Sequence, residues 1–221
     1  MPKTDATAGD PAPSSQRRKG AAAREAILAA ARSLIAEDGF GGAQMSLIAL
    51  RARVGVGSIY KHFASREELF AEIYSEVAAR EFEHVEAAAS AASEGATARI
   101  AAAVATFCAR ALRAGRFGYA MLVEHSEPNV DTHRLAYREG YRRLFAQLLA
   151  EAIAEGEIPD QDVDTSAAAL LGIMTETLVR PLGEAATGNN MSRAKKTTKD
   201  TDRLVAHVVA LCQAAIQAPA R

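Results

Sequence analysis

Tryptophan is absent, cysteine occurs twice, and aromatic residues make up 5% of this chain. Two thiols far apart in sequence, Cys108 and Cys212, cannot build a disulfide framework. No stretch has a secretory leader's charged start and apolar middle, so both are expected to be free thiols in a reducing cytoplasm. The longest apolar run covers only residues 167–174. Spanning a bilayer takes roughly 20 residues, so no membrane role is expected. No segment alternates well enough for a sheet. Catalytic signals are also missing. The nearest approach is His125-x-Glu127-x3-Asp131-x-His133, two imidazoles and two carboxylates grouped around Pro128 in an expected loop. Neither catalysis, a bound metal nor any cofactor is expected.

The net charge is almost nil, at −1, but unevenly spread. Residues 1–66 carry 10 Lys or Arg against 5 Asp or Glu, and the remainder carries 16 against 22. A basic N-terminal third on an acidic body points to a polyanionic partner for that third alone.

What the chain has in abundance is alanine, leucine, glutamate and arginine, a helix-forming composition. Residues 1–20 are rich in Pro, Ala, Ser and Thr and end on Arg17-Arg18-Lys19, a tail expected to be disordered. A first helix is expected over 22–38. Ile27, Leu28, Ala31, Leu34 and Ile35 lie on its buried face, and Gly39 stops it. A short helix over 45–52, with Leu47, Ile48 and Ala49 inward, leads through Arg53-Val54-Gly55 into a second short helix over 56–63. Two short helices joined by so tight a link make a helix-turn-helix candidate, whose second helix enters the major groove. Ser65 and Glu68 form an S-x-x-E capping box for a long helix over 66–88, with Leu69, Phe70, Ile73, Val77 and Phe82 inward.

Within 56–63, Val56, Ile59, Tyr60 and Phe63 are expected to dock on the first helices, leaving Gly57, Ser58, Lys61 and His62 on the opposite face. Two glycines, Gly55 and Gly57, make a helix start with almost no side chains. Its amides and positive dipole end can then approach a phosphate or a groove floor. Lys61, His62 and Arg66 add charge and donors beside that end.

The stretch from Arg24 to Phe70 resembles the DNA-binding domain of the TetR/AcrR family of bacterial transcriptional regulators. The residues that carry the likeness are Ile27-Leu28-Ala29-Ala30-Ala31, Gly39-Phe40, Ile48-Ala49, Ala52, Val54, Gly57, Ile59-Tyr60, His62-Phe63 and Ser65-Arg66-Glu67-Glu68-Leu69. Three positions depart from the family pattern: Arg53 replaces the turn glycine, Gly55 the N-cap serine, and Gln44 the threonine that starts the preceding helix. The resemblance implies that Ser46, Val56, Gly57, Ser58 and Lys61 face DNA. It implies that Tyr60, His62 and Arg66 chiefly hold phosphates, with Arg53 adding a possible further contact.

Beyond residue 88, helical periodicity is expected over 97–114, 119–125, 132–155, 165–182 and 201–217, punctuated by glycines and prolines. The loop over 188–199 is polar and basic. The expected fold is therefore all-α with about nine helices. It comprises a tail over 1–20, a three-helix DNA-binding domain over 21–66, and a helical bundle over 67–221 for ligand binding and dimerisation. Aromatic and polar-tipped residues gather in the middle of that bundle: Phe107, Phe117, Tyr119, Met121, His125, Tyr137, Tyr141 and Phe145, with Met174 and Thr175 within reach. Such a group is expected to line a small-molecule site. The last two helices carry Leu170, Leu171 and Leu178, then Leu204, Val208 and Leu211. In proteins that this chain resembles, these helices pair with their mates as a four-helix dimer interface. The resulting expectation is a cytoplasmic, homodimeric regulator, a repressor released from double-stranded operator DNA by a small-molecule effector. The alternative is a helical carrier that binds a small molecule and no DNA.

Overall fold

The computed structural model describes residues 15–187 and 198–218. The tail over 1–14 and most of the expected basic loop, residues 188–197, lie outside the described residues. Among the described residues there are nine α-helices and no strands. They are α1 (Ser15–Gly42), α2 (Met45–Ala52), α3 (Val56–Ile59), α4 (Arg66–Ala91), α5 (Ala96–Ala114), α6 (Arg116–Leu122), α7 (Pro128–Ala154), α8 (Val163–Thr187) and α9 (Thr198–Ile216).

Helix α1 begins earlier than expected, so residues 15–20 are helical rather than part of a tail. It is interrupted at Gly39, whose φ of 76° and ψ of −174° form a conformation open to glycine alone. Helix α7 starts at Pro128, which the sequence had suggested as a breaker; proline suits a first helical turn because the amide it lacks is unpaired there anyway. Helix α6 likewise begins earlier than expected, immediately after Gly115 with its φ of 55°. The expected cap at Ser65 forms, its hydroxyl accepting from the Glu68 amide at 3.1 Å. Glu68 returns a bond to the Ala64 amide at 2.5 Å.

Two apolar clusters organise the chain. The first joins α1, α2 and α3 with the start of α4 through Ile27, Ile35, Phe40, Ile48, Ile59, Phe63 and Phe70. It also takes in Ala120 and Met121 of α6 and Val130 of α7. The second joins the far half of α4, through Val85 and Ala89, to α5, α7, α8 and α9. Helix α4 thus belongs to both cores, and α6 is built into the N-terminal one. The expected division at residues 66/67 cuts through shared packing rather than a linker.

The faces of α8 and α9 differ from the sequence expectation. Leu170, Leu171, Leu178 and Val208 are buried within the same chain, in the second core, and Leu204 packs at its edge. Their side chains are therefore packed inside the chain itself. Leu211 alone of the six expected interface leucines and valines stands exposed, at 53%.

Candidate functional site

The link between α2 and α3 is set by its backbone. Arg53 takes the left-handed conformation, with φ 57° and ψ 40°, and its amide bonds back to the Leu50 carbonyl at 3.2 Å. That is the position where glycine costs nothing and an arginine costs about 1 kcal/mol. Arg51, two residues back, holds Glu37 of α1 through both terminal guanidinium nitrogens, at 2.5 and 2.8 Å, which fixes α2 on α1.

The second motif helix is shorter than expected. It is α-helical only over Val56–Ile59; thereafter the Lys61 amide bonds Ser58 at 3.3 Å and the His62 amide bonds Ile59 at 2.9 Å. These three-residue bonds tighten the chain, so that Ile59 and Phe63 both turn into the core. Val56 and Tyr60, expected to dock inward, instead stand out at 42% and 51% exposure. Leu47, also expected inside, is exposed, as is Leu50. Four of the six exposed large apolar side chains among the described residues thus fall in α2, α3 and the turn after it. Ser46, Arg53, Gly57 and Lys61 are exposed beside them, with Ser58 and His62 half-buried.

Neither motif glycine is needed by the fold itself. Gly55 is extended, at φ −74° and ψ 149°, and a Cβ on Gly55 or Gly57 would meet no atom of this chain within 4 Å. Arg66 departs from the rest of the expected set. Its guanidinium donates to the Phe40 carbonyl at 2.7 Å, pairs with Glu127 at 3.1 Å and stacks on the Phe70 ring at 4.8 Å. It is bound inward, tying the start of α4 to α1 and to the residue before α7, rather than turned outward to a phosphate.

A second feature lies in the body: a cavity of about 120 Å³ between α4, α5, α6, α7 and α8. Of the residues expected there, Phe107, Phe117, Met121, Tyr137, Tyr141 and Thr175 line it. Four do not. Phe145 and Met174 are fully buried in the second core. Tyr119 packs beside Gly183 and under the Arg116 guanidinium, and His125 is exposed. The lining also includes Tyr74, Glu81, Arg110, Arg134 and Arg138, which composition had not suggested. Arg134, Tyr137, Arg138 and Tyr141 recur along one face of α7 at helical spacing, a signal the sequence did carry.

The polar groups of the lining are mostly satisfied. Arg110 holds Glu81 through two nitrogens. Arg134 pairs with Asp131, donates to the Met121 carbonyl at 3.2 Å and the Glu124 carbonyl at 2.8 Å, and so closes the end of α6. The Tyr137 hydroxyl donates to the Ser75 carbonyl at 3.0 Å. Burial pushes the Tyr74 hydroxyl up to about 12 and the Tyr141 hydroxyl further in the same direction, so both stay protonated donors. Around Pro128, Glu127 is taken by Arg66, Asp131 by Arg134, and the His133 ring by the Asn129 carbonyl at 2.7 Å. Among the described residues no three His, Cys, Asp or Glu converge as metal ligands would. No helix among them is long and apolar enough to cross a membrane.

Comparison with known proteins agrees with this arrangement. A family model described as bacterial regulatory proteins, tetR family, matches residues 27–73, covering the helix-turn-helix. A tetracyclin repressor-like C-terminal domain model matches residues 93–179, covering most of the cavity walls. Comparison with curated proteins gave no significant match. Among solved structures, the transcriptional regulator FadR from Bacillus subtilis in complex with stearoyl-CoA is 22% identical, with a TM-score of 0.69 over 87% of this chain and 98% of that one. The fatty acid degradation regulator FadR from Bacillus halodurans is 21% identical, with a TM-score of 0.68 over 86% and 94%. A TetR-like transcriptional regulator from Rhodococcus sp. RHA1 is 18% identical, with a TM-score of 0.63 over 86% and 93%. At such identities the neighbours speak for the fold, while the two family models together span well over half of the 221 residues. With the helix-turn-helix and the helical body both matched, the chain belongs to the TetR family and is a ligand-responsive, DNA-binding transcriptional regulator.

Proposed function

We propose that the chain represses transcription as a homodimer, reading operator DNA through Ser46, Arg53, Val56, Gly57, Ser58, Tyr60, Lys61 and His62. The observation that carries this reading is Gly57. Its dihedral angles and its packing leave room for a side chain, yet the residue is glycine inside a helical turn. The remaining reason for a bare backbone is an external surface that comes close. A bare helix start with Lys61 beside it suits a phosphate, and exposed Val56, Leu47 and Leu50 suit apolar contact with thymine methyls in the major groove. Arg66 is left out of the set because both terminal nitrogens of its guanidinium are engaged inside the chain.

The same reasoning supports an interface on the outward side of α8 and α9. Gly172 lies mid-helix, where glycine costs about 1 kcal/mol relative to alanine, and a Cβ there would meet nothing of its own chain. Ala168, Gly172 and Glu176 share that exposed face of α8, and Ala210, Leu211 and Ala214 share one of α9. Small residues let a second copy's helices approach closely. Two copies give two recognition elements for two half-sites, which one short element cannot match for specificity. The domain reading that goes with this is an N-terminal DNA-binding unit and a C-terminal body, with α4 and α6 shared. The cytoplasm is its place of action.

The effector acts through contacts that leave the cavity and reach α1. Arg134 lines the cavity and grips the Glu124 carbonyl. The Glu124 side chain holds Arg116 at 2.9 Å and lies over Gly39, at the break in α1. A ligand that shifts Arg134 or Met121 therefore strains the seat of the DNA-binding unit directly, in addition to any tilt of α4. The acyl-CoA ligand of the Bacillus subtilis neighbour supports an effector with a long apolar part. Linkage provides the test: an inducer that weakens operator binding must itself bind more weakly, by the same factor, when operator is present. Titrating candidate effectors with and without bound DNA should give matching shifts of roughly 5- to 150-fold. Equal affinity in both conditions would sink the regulatory role of the cavity.

A further inference from the structure

We infer that the effector is a single-headed anionic amphiphile, a carboxylate with an apolar chain, whose head is held by Arg138 at the cavity wall with the Tyr141 hydroxyl as a second donor. The inference rests on the reading of the cavity as the effector site, and adds the chemistry of what enters it.

Charge in the lining does not balance. Glu81 is matched by Arg110, and Arg134 is matched by Asp131 and by the carbonyls at the end of α6. Arg138 has no such match. Its one hydrogen bond is a long one, 3.4 Å to the Thr175 hydroxyl, which already donates to the Leu171 carbonyl at 2.8 Å. Among the described residues no carboxylate pairs with Arg138. The solvent-exposed edge of the cavity thus carries one guanidinium without a carboxylate partner.

Tyr141 is the second, independent sign. It is more than nine-tenths buried and lines the cavity, its ring edge-on between Phe82 and Phe107 at centroid distances of 4.9 and 5.3 Å. Its hydroxyl has no hydrogen-bond partner among the described residues, whereas that of Tyr137, also in the lining, is satisfied. A hydroxyl that faces a cavity without a protein acceptor is free to donate to a ligand oxygen. Arg138 and Tyr141 are three residues apart on α7 and so occupy one face. The guanidinium only donates and the protonated hydroxyl can donate beside it, so together they fit a carboxylate better than a cationic head, and the charge favours it over a neutral one. The rest of the wall, including Val85, Phe107, Phe117 and Met121, is apolar and fits an alkyl or aryl body. One unmatched positive charge suits one negative charge, not the several of a nucleotide-bearing thioester.

The test uses the full-length protein and three probes below their micelle concentrations: decanoate, decan-1-ol and decanoyl-CoA. Calorimetric titration should show decanoate binding at least tenfold more tightly than decan-1-ol, and more tightly than decanoyl-CoA. Arg138→Gln should weaken decanoate roughly 10- to 100-fold, as expected for a lost bond to a charged group, and weaken decan-1-ol far less. Tyr141→Phe should weaken decanoate a few-fold. Equal binding of alcohol and acid, tighter binding of the thioester, indifference of decanoate to Arg138→Gln, or no binding of any probe would each overturn the inference. The operator reading is judged separately, by DNA binding of the protein without probe. If decanoate binds through Arg138 yet leaves DNA affinity unchanged, the head-group assignment stands and the regulatory role of the cavity falls.

Discussion

Replacing Arg66 by alanine separates two accounts of one residue. As a phosphate contact it would contribute to DNA affinity and little to folding. As the structure has it, the guanidinium bonds the Phe40 carbonyl, pairs with Glu127 and stacks on Phe70. A hydrogen bond from a charged donor to a buried carbonyl is worth about 1.5–3 kcal/mol. The ion pair is about one-third exposed, so it adds at most about 1 kcal/mol after screening. Stacking adds about 0.5–1 kcal/mol. Since these terms overlap, Arg66→Ala should destabilise by about 2–4 kcal/mol. For a chain of this size that lowers Tm by roughly 5–15 °C. The assay pairs thermal unfolding with DNA binding at several salt concentrations, set beside Lys61→Ala. Lys61→Ala should leave Tm unchanged and reduce the slope of log affinity against log salt by about 0.9, the signature of one lost phosphate neutraliser. Arg66→Ala should show the reverse pattern. An Arg66→Ala protein of parental Tm whose salt slope falls by about one unit would refute the internal role.

Further outcomes follow from other parts of the chain. Val208→Asp puts a carboxylate into a site 1% exposed and should unfold the protein, while Leu211→Asp, on the exposed face, should leave a folded chain that sediments as a monomer. Gly39→Ala adds a Cβ within 1.9 Å of Arg116 and 2.3 Å of Glu124, in a conformation alanine resists, so it should cost about 1–3 kcal/mol and weaken the effector's hold on DNA binding in the titration with and without operator. Glu157 caps α5 through the Thr97 hydroxyl and amide and the Ala96 amide, which lowers its carboxyl below the ordinary value of 4.5. Its stabilisation is present above that value and lost as pH falls through the lowered one, so the Tm difference between parent and Glu157→Gln should shrink at acid pH.

The helix-turn-helix was legible because residue type and spacing jointly constrain it. Ile59 and Phe63 must be apolar to close the core, Ser65 and Glu68 must cap α4, and Gly57 is bare although the fold has room for a side chain there. The length of α3 was not legible: nothing in 56–63 marks where α-helical bonds give way to tighter ones. Which face of α8 packs inward was also hidden, since Leu170 and Leu178 on one side and Ala168 and Gly172 on the other both read as apolar. The structure resolves it by volume. Large side chains fill the core, and small ones are left outside where only a close neighbour would need them. In the cavity, aromatic content pointed to the right region but not to side-chain direction. Phe145 and Met174 turn into the core, while Arg134 and Arg138 of α7 line the space. Composition reads arginine as surface, so a place in the cavity lining for Arg134 and Arg138 shows only through their shared helical face with Tyr137 and Tyr141.

The most direct test of the central claim is selection of bound duplexes from random-sequence DNA, followed by affinity measurement on the winners at physiological salt. The account predicts a two-fold symmetric site, read by two copies, and bound at least about 10³-fold more tightly than unrelated DNA. Substituting Gly57 by a bulky residue such as leucine should abolish that preference without lowering Tm, because the protein itself has room for the side chain. Uniform binding of all sequences, or a Gly57→Leu variant that keeps the selected site, would contradict it.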